Sequence, residues 1–138
     1  MTLSEFFKND IFAADAGCRI AEYRQGYAKV QMTVTERHLN AGGTCQGGAI
    51  FTLADLACAV CFNSHARLTV SLSSNISFIH APVAGDELTA EAVEKVNHPK
   101  VPFCEVVVTD QNGNTVAMLT GQGYRKKAEI EFSEIIPE

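Results

Sequence analysis

The stretch Gln46-Gly-Gly-Ala-Ile-Phe-Thr-Leu-Ala-Asp-Leu-Ala-Cys-Ala-Val-Cys-Phe-Asn63 is the only long segment of the chain with helical character. At 1.5 Å per residue it would form a helix of about 27 Å. Its apolar residues are not confined to one stripe but cover the whole circumference, as in a helix that packs against protein on every side. The stretch therefore predicts one central helix inside the fold.

Strand-like segments lie on both sides of this helix. Two precede it between Cys18 and Thr35 and meet at Gln25-Gly26, and the second of them alternates regularly, with Val30, Met32 and Val34 expected on the inner face. Four follow, over residues 68–80, 87–97, 102–110 and 115–124, and Asn112-Gly113 predicts a hairpin between the last two. A short helix over residues 2–9 and an irregular loop over residues 36–45 complete the pattern.

One helix cannot cover both faces of a six-stranded sheet. The economical arrangement is a curved antiparallel sheet wrapped around that helix, which is an α+β architecture. No linker, repeat or low-complexity tract divides the 138 residues, so we predict a single domain over residues 1–138.

The composition indicates which partners to expect. The net charge is −5 and the only basic run is Arg125-Lys-Lys127, which argues against a nucleic-acid partner. The five cysteines are an odd number scattered through apolar stretches, which fits a reducing compartment. The N-terminus lacks signal-peptide character and no apolar block is long enough to cross a bilayer. We therefore expect a cytoplasmic protein without a membrane partner.

Asp55 is the one charged residue between Gln46 and Phe62. A carboxylate on a buried helix costs several kcal/mol unless it is paired or solvated. It can be explained structurally, by a surface crevice or a hydrogen bond from a neighbouring strand. The functional interpretation is that Asp55 lines a cleft and acts as a base or nucleophile on a substrate.

Gly47 and Gly48 begin the helix, where backbone N–H groups lack helical partners and the helix dipole favours negative charge. Glycine there either permits close packing of the helix or lets a substrate carbonyl approach the N–H groups. Asp55 lies eight residues beyond Gly47, about 12 Å along the helix, so one chain cannot bring both to one carbonyl carbon. Two antiparallel helices across a two-fold axis could, which predicts a homodimer with two shared sites.

The segment from Asn40 to Asp55, with Gln46-Gly47-Gly48 inside it, resembles the signature of the PaaI-like hotdog thioesterases, which act on phenylacetyl-CoA-type substrates. The resemblance extends through residues 70–78 and 81–86 and ends within residues 110–123. It implies a hotdog fold, an acyl-CoA substrate and no cofactor beyond the coenzyme A of that substrate. It also implies a homodimer, and hotdog dimers commonly pair into homotetramers.

The same resemblance implies roles for individual residues. Asp55 would be the base or nucleophile, Gly47 would donate an N–H to the oxyanion, Asn40 would polarise the carbonyl, and Ser71 would orient the attacking water. In that family Asn40 and Gly47 would come from one subunit and Asp55 and Ser71 from the other. The residues expected to contact substrate are Gln46, Gly48, Ser73 (if the strand register shifts by two) and Lys100.

Gln46 departs from the family, which usually has histidine before the glycine pair. Glutamine can hydrogen-bond a carbonyl but cannot titrate near neutrality. The departure keeps one alternative open beside the thioesterase, a hotdog protein that binds acyl-CoA without turning it over. A hotdog hydratase or dehydratase is a second alternative, but that chemistry generally wants a histidine paired with the carboxylate, so Gln46 makes it less attractive.

The cysteines raise two further alternatives. Cys58 and Cys61, with His65 beyond them, have a spacing that could serve a metal or a redox pair, although buried free cysteines are common in cores and no second ligand pair exists. We therefore predict no metal site. Cys45 at the helix start could be a nucleophile with His38 or His65 as its base.

Overall fold

The computed structural model describes all residues from 1 to 138. Two short helices, α1 (Leu3–Phe7) and α2 (Ile11–Asp15), precede the strands β1 (Arg19–Arg24) and β2 (Tyr27–Thr33). A 3-10 turn (Glu36–His38) leads to the long helix α3 (Gly47–Asn63). The strands β3 (Arg67–Phe78), β4 (Glu87–Val96), β5 (Phe103–Thr109) and β6 (Thr115–Glu129) follow it.

The six strands form one antiparallel sheet in the order β1-β2-β4-β5-β6-β3. Helix α3 contacts every strand of it. A sheet whose six strands all reach the same helix has to curve around that helix, so the predicted α+β hotdog architecture is confirmed.

The core lies between α3 and the inner face of the sheet. Val30, Met32 and Val34 are buried there, as their alternation predicts. Two glycines on β6 let the helix approach closely, since a Cβ on Gly121 would stand 2.7 Å from Sγ of Cys58 and one on Gly123 would stand 3.1 Å from the ring of Phe62. The close fit of α3 to β6 therefore depends on missing side chains.

The helix is less enclosed within one chain than its composition predicts. Gly48 is exposed, and Thr52, Asp55 and Ala59 are half-buried. These positions follow one another at intervals of four, three and four residues, so they form one stripe along the helix. The expectation that protein surrounds α3 on every side is wrong for a single chain, because the sheet wraps only part of the circumference.

Two elements differ from the sequence-based boundaries. Helix α2 was not predicted, although Asp10 caps it by accepting a hydrogen bond from the N–H of Ala13 at 3.1 Å. Strand β6 continues five residues beyond Tyr124, through a charged stretch whose side chains show no alternation. Backbone pairing with β3, up to Arg67 opposite Glu129, extends the strand there.

β3 is twelve residues long, lies at the sheet edge, and exposes both faces over most of its length. None of the helices is long and apolar enough to span a membrane.

Candidate active site

The loop before α3 is organised by Asn40. Its Oδ1 accepts hydrogen bonds from the N–H groups of Gly42 and Thr44, at 3.0 and 3.1 Å, and its Nδ2 donates to Oγ1 of Thr44. The loop ends at Gln46, whose N–H donates to the carbonyl of His38 at 2.7 Å. This network fixes where α3 begins, and with it the direction of its first N–H groups.

Gly47 and Gly48 carry backbone donors that the chain leaves unused. The N–H groups of Ala49 and Ile50 both donate to the carbonyl of Gln46, whereas those of Gly47 and Gly48 have no acceptor within the chain. The side chain of Gln46 makes no capping hydrogen bond either. Two unpartnered N–H groups at the positive end of a 17-residue helix form a place that favours a carbonyl oxygen or an oxyanion.

Gly47 lines a cavity of about 300 Å³ together with Asn40. The other lining residues are Thr44, Cys45, Ile50, Phe78, Ile79, His80 and Ala81. The ring of Phe78 packs on Gly47, where an added Cβ would stand 3.0 Å from its Cζ. Glycine at this position therefore permits close packing and leaves the N–H accessible from the cavity. The two explanations of the glycine pair, packing and access, are compatible.

Asp55 lies two turns further along the helix, half-buried on the uncovered stripe. Burial raises the pKa of its carboxyl group, and the nearby charge of Asp10 raises it further. A hydrogen-bonding interaction with the Ser71 hydroxyl opposes this rise in pKa. A carboxylate with raised proton affinity and an adjacent hydroxyl can accept a proton from water or attack a carbonyl carbon.

Within one chain the structure forms two pairs rather than one complete site. Asn40 and Gly47 share the cavity at the helix start, and Asp55 and Ser71 lie close together elsewhere. Asp55 does not line that cavity. This separation agrees with the distance of about 12 Å along the helix.

Ser73 does not join Ser71. Ser71 pairs with Gly123, but Ser73 pairs with the adjacent Gln122, so one extra residue is inserted in β3 at Leu72. Such a bulge reverses the alternation of side chains. Ser73 therefore shares the outer face with Gln122, and Ser74, opposite Gly121, returns to the inner face.

The other residues predicted to contact substrate are distributed around the helix start and one distant loop. Gly48 is exposed beside Gln46, whose Oε1 would stand 2.8 Å from a Cβ on Gly48. Gln46 lines a neighbouring cavity of about 400 Å³ that also contains Phe12 and His38. Lys100 lies exposed between β4 and β5, outside both cavities.

The structure argues against Cys45 as a nucleophile. Burial raises the pKa of its thiol to about 11, so it is a thiol near neutrality. His38 is engaged with Ala16 and Thr35 instead, since its Nε2 lies 2.7 Å from the Ala16 carbonyl and its Nδ1 accepts from the N–H of Thr35. His65 follows the opposite end of α3, about 27 Å from Gly47.

Cys58 and Cys61 are core residues, exposed by no more than 1%. No group of three or more potential ligand side chains lies together in the geometry that a metal ion needs.

Comparison with known proteins places this geometry in a family. A model described as "Thioesterase superfamily" matches residues 42–117, which include Gly47, Asp55 and Ser71. The chain belongs to the thioesterase superfamily. Among curated members it is 39% identical to a putative esterase of Archaeoglobus fulgidus over 86% of this chain and 77% of that protein. It is 34% identical to the acyl-coenzyme A thioesterase PaaI of Escherichia coli over 86% of this chain and 85% of that one.

Solved structures of superfamily members agree. The PaaI protein of Escherichia coli, from the phenylacetic acid degradation operon, superposes with a TM-score of 0.89 at 33% identity and covers 92% of each chain. A hypothetical thioesterase of Streptococcus pneumoniae, solved with coenzyme A, gives 0.84 at 25% identity over 91% of this chain and 99% of that one. The PaaI-like resemblance and the predicted class, a thioester-hydrolysing enzyme, are thereby confirmed.

Sequence reasoning missed two neighbours of the predicted residues. Asp10 raises the pKa of Asp55, and His80 lines the cavity of Gly47. Asp10 carried a visible signal as a helix-capping residue before the apolar residues 11–14, but nothing in the sequence indicates that it lies near Asp55.

Proposed function

We propose that this superfamily member hydrolyses acyl-CoA thioesters, with Asp55 as general base or nucleophile and the Gly47 N–H as oxyanion donor. The observation that carries the proposal is a half-buried carboxyl group beside the Ser71 hydroxyl, the only charged side chain of helix α3, with its pKa raised by burial. Perturbed carboxyl groups of this kind are concentrated at functional sites.

Two routes lead to the same products. In one, Asp55 takes a proton from a water molecule oriented by Ser71, the water oxygen bonds to the thioester carbon, and the C–S bond breaks. In the other, a carboxylate oxygen of Asp55 displaces the thiolate to form a mixed anhydride, which water then hydrolyses. In both, CoA leaves with the sulfur electrons and a proton, water is the only co-reactant, and no cofactor is required.

Charge on the carbonyl oxygen develops in either route. The unpartnered N–H of Gly47 is directed by the start of α3, and Asn40 lines the same cavity. Preformed donors at such a position lower the barrier without having to reorganise during the reaction. Gln46 and Gly48 then form the rim of the oxyanion site, and we propose a contact of Lys100 with the CoA phosphates.

The active site that we propose is shared by two subunits. The uncovered stripe of α3 carries small residues that allow close approach of a second helix, and Asp55 lies within it. Beside it, the edge strand β3 exposes its backbone, with Val70 and Leu72 40% and 56% exposed. A two-fold axis there would pair the edges and bring Gly47 of one subunit to Asp55 of the other.

A second contact would make the dimer a tetramer. The outer face of the sheet exposes large apolar side chains, namely Val93, Val96, Phe103, Met118 and Tyr124. Exposed apolar patches of this kind mark association surfaces. We propose that two dimers bury this face against each other.

For the acyl group we propose an aryl-acetyl or a short or medium chain. The relative from Escherichia coli is an acyl-coenzyme A thioesterase from a phenylacetic acid degradation operon, and it covers nearly the whole chain. The streptococcal thioesterase was solved with coenzyme A. These likenesses support an acyl-CoA substrate.

The test is the release of free CoA from phenylacetyl, hydroxyphenylacetyl, benzoyl, short linear and long linear thioesters. We expect turnover by the wild type and a loss of at least about a hundredfold in kcat for Asp55→Asn, which keeps the shape and removes the base. Asp15→Asn, a change of the same type on α2, is the matched control. Turnover unaffected by Asp55→Asn would refute the role of the carboxylate.

The alternative is binding without turnover, which Gln46 favours because it cannot carry a proton. Absence of CoA release from every thioester, with acyl-CoA binding intact, would select that alternative. Hydration of an enoyl-CoA, assayed beside this panel, would instead select the hydratase.

A further inference from the structure

His80 lies on the cavity of Gly47 and Asn40, two residues beyond the end of β3. Its backbone N–H donates a hydrogen bond to the carbonyl of Val116 at 3.2 Å, and this bond fixes the backbone. Its side chain is 50% exposed, and neither ring nitrogen makes a hydrogen bond within the chain. The ring is therefore held at the cavity while its polar atoms remain available.

Asp110 lies behind this ring. Its Oδ2 is 3.9 Å from Nε2 of His80, and its side chain is only 3% exposed. Burial alone raises the pKa of this carboxyl group, but hydrogen bonds from the side chain and N–H of Asn114 and the N–H of Asn112 outweigh it and lower the pKa. Asp110 is thus a fixed negative charge at the base of the hairpin between β5 and β6.

His80 is also the one side chain of this cavity that can carry a positive charge. Cys45, the only other titratable residue on the cavity, has a thiol pKa of about 11 because it is buried. The remaining lining residues carry no charge, and Asp110 is the only charged group in contact with His80. Gln46, at the start of α3, does not titrate.

We infer that His80 is a substrate-binding residue of this thioesterase, donating a hydrogen bond to a carbonyl oxygen of the bound acyl-CoA. The inference rests on the proposed function and adds a contact to the same site. A hydrogen bond from a charged donor is roughly twice as strong as one from a neutral donor. We therefore expect any tightening of binding between pH 8 and pH 6 to depend on the His80 side chain.

The test compares wild type, His80→Gln and His65→Gln at pH 6 and pH 8. Gln at position 80 keeps a neutral donor and removes the charge. His65→Gln is the matched control, because it keeps a donor for Glu94, the partner of His65 at 2.8 Å, at the far end of α3. The readouts are kcat, KM, calorimetric binding of CoA and of a non-hydrolysable acetyl-CoA thioether, and thermal stability.

We expect His80→Gln to raise KM about fivefold to tenfold at pH 6 and less than about threefold at pH 8, with kcat within about twofold. The dissociation constant of the thioether should follow KM. His65→Gln should match the wild type in all of these. Protonation of Asp55 affects the KM of the variant and of the wild type alike. The ratio of the two KM values at each pH therefore cancels that effect.

Each outcome separates this inference from the proposed function. Normal turnover with an unchanged or pH-independent KM ratio overturns the role of His80 and leaves hydrolysis standing. No turnover by any variant, with thioether binding weakened by His80→Gln at pH 6, supports His80 and overturns hydrolysis. Absence of both binding and turnover in the wild type overturns both. A lower melting temperature with an unchanged KM ratio shows a structural role and overturns the inference.

Discussion

At the scale of single residues, the proposed mechanism depends on the proton affinity of Asp55. Burial raises its pKa first, and the charge of Asp10 adds to it. In the proposed mechanism the carboxylate is the active form, so activity should fall as pH falls through that raised pKa. The acidic limb of the pH profile should therefore lie above the ordinary aspartate pKa of about 3.9.

Asp10→Asn should move this acidic limb of kcat/KM to lower pH. The substitution removes a negative charge near Asp55, so the carboxylate becomes easier to form, while asparagine still caps helix α2. The measurement is the pH dependence of kcat/KM for the variant, the wild type and Asp15→Asn, whose charge does not act on Asp55. A limb that stays in place or moves upward in Asp10→Asn would contradict the electrostatic role of Asp10.

At the scale of elements, the fit of α3 to β6 determines where the helix lies. Gly121 and Gly123 leave room for Cys58 and Phe62, and the neighbouring strand β3 carries Ser71. A bulge at Leu72 turns Ser73 outward, so the local irregularity of β3 decides which serine faces Asp55.

Gly121→Ala should destabilise the protein by about 1–3 kcal/mol, because its Cβ would overlap Sγ of Cys58 at 2.7 Å. Urea unfolding measures the loss. The double variant Gly121→Ala with Cys58→Ala should lose less than the sum of the two single variants, since the clash is then absent. Additive losses would show that the helix and β6 do not meet as described.

At the scale of the whole molecule, the proposed site is complete only in an assembly. Two subunits related by a two-fold axis would contribute Asn40 and Gly47 from one chain and Asp55 and Ser71 from the other. A single chain keeps the two pairs apart along α3.

Two inactive variants should therefore restore activity when they assemble together. We expect Asn40→Asp, which keeps the loop acceptor Oδ1, and Asp55→Asn each to be nearly inactive alone. Random co-assembly makes half of the dimers mixed, and each mixed dimer has one intact site of two, giving about a quarter of wild-type activity. Co-expression with two affinity tags, followed by CoA release, measures this.

A matched mixture of Asp55→Asn with Ser71→Ala places both changes in the same half-site and should not regain activity beyond its parents. If neither mixture regains activity although both tags verify mixed dimers, the shared site is contradicted.

The sequence by itself determined the architecture, the central helix and the family. Helical spacing, strand alternation and turn residues are local properties of the chain. They correctly predicted the inward-facing Val30 and the hairpin at Asn112-Gly113. The unusual carboxyl group on an apolar helix was equally visible, because Asp55 contrasts with its neighbours in the chain.

Only the tertiary structure decided what surrounds these residues. Asp10 lies near Asp55, His80 faces the cavity of Gly47, and β6 continues through charged residues because β3 pairs with it. None of these follows from spacing, since each joins segments far apart in the chain through packing and backbone hydrogen bonds. The uncovered stripe of α3 likewise depends on how far the sheet curves, which no local pattern encodes.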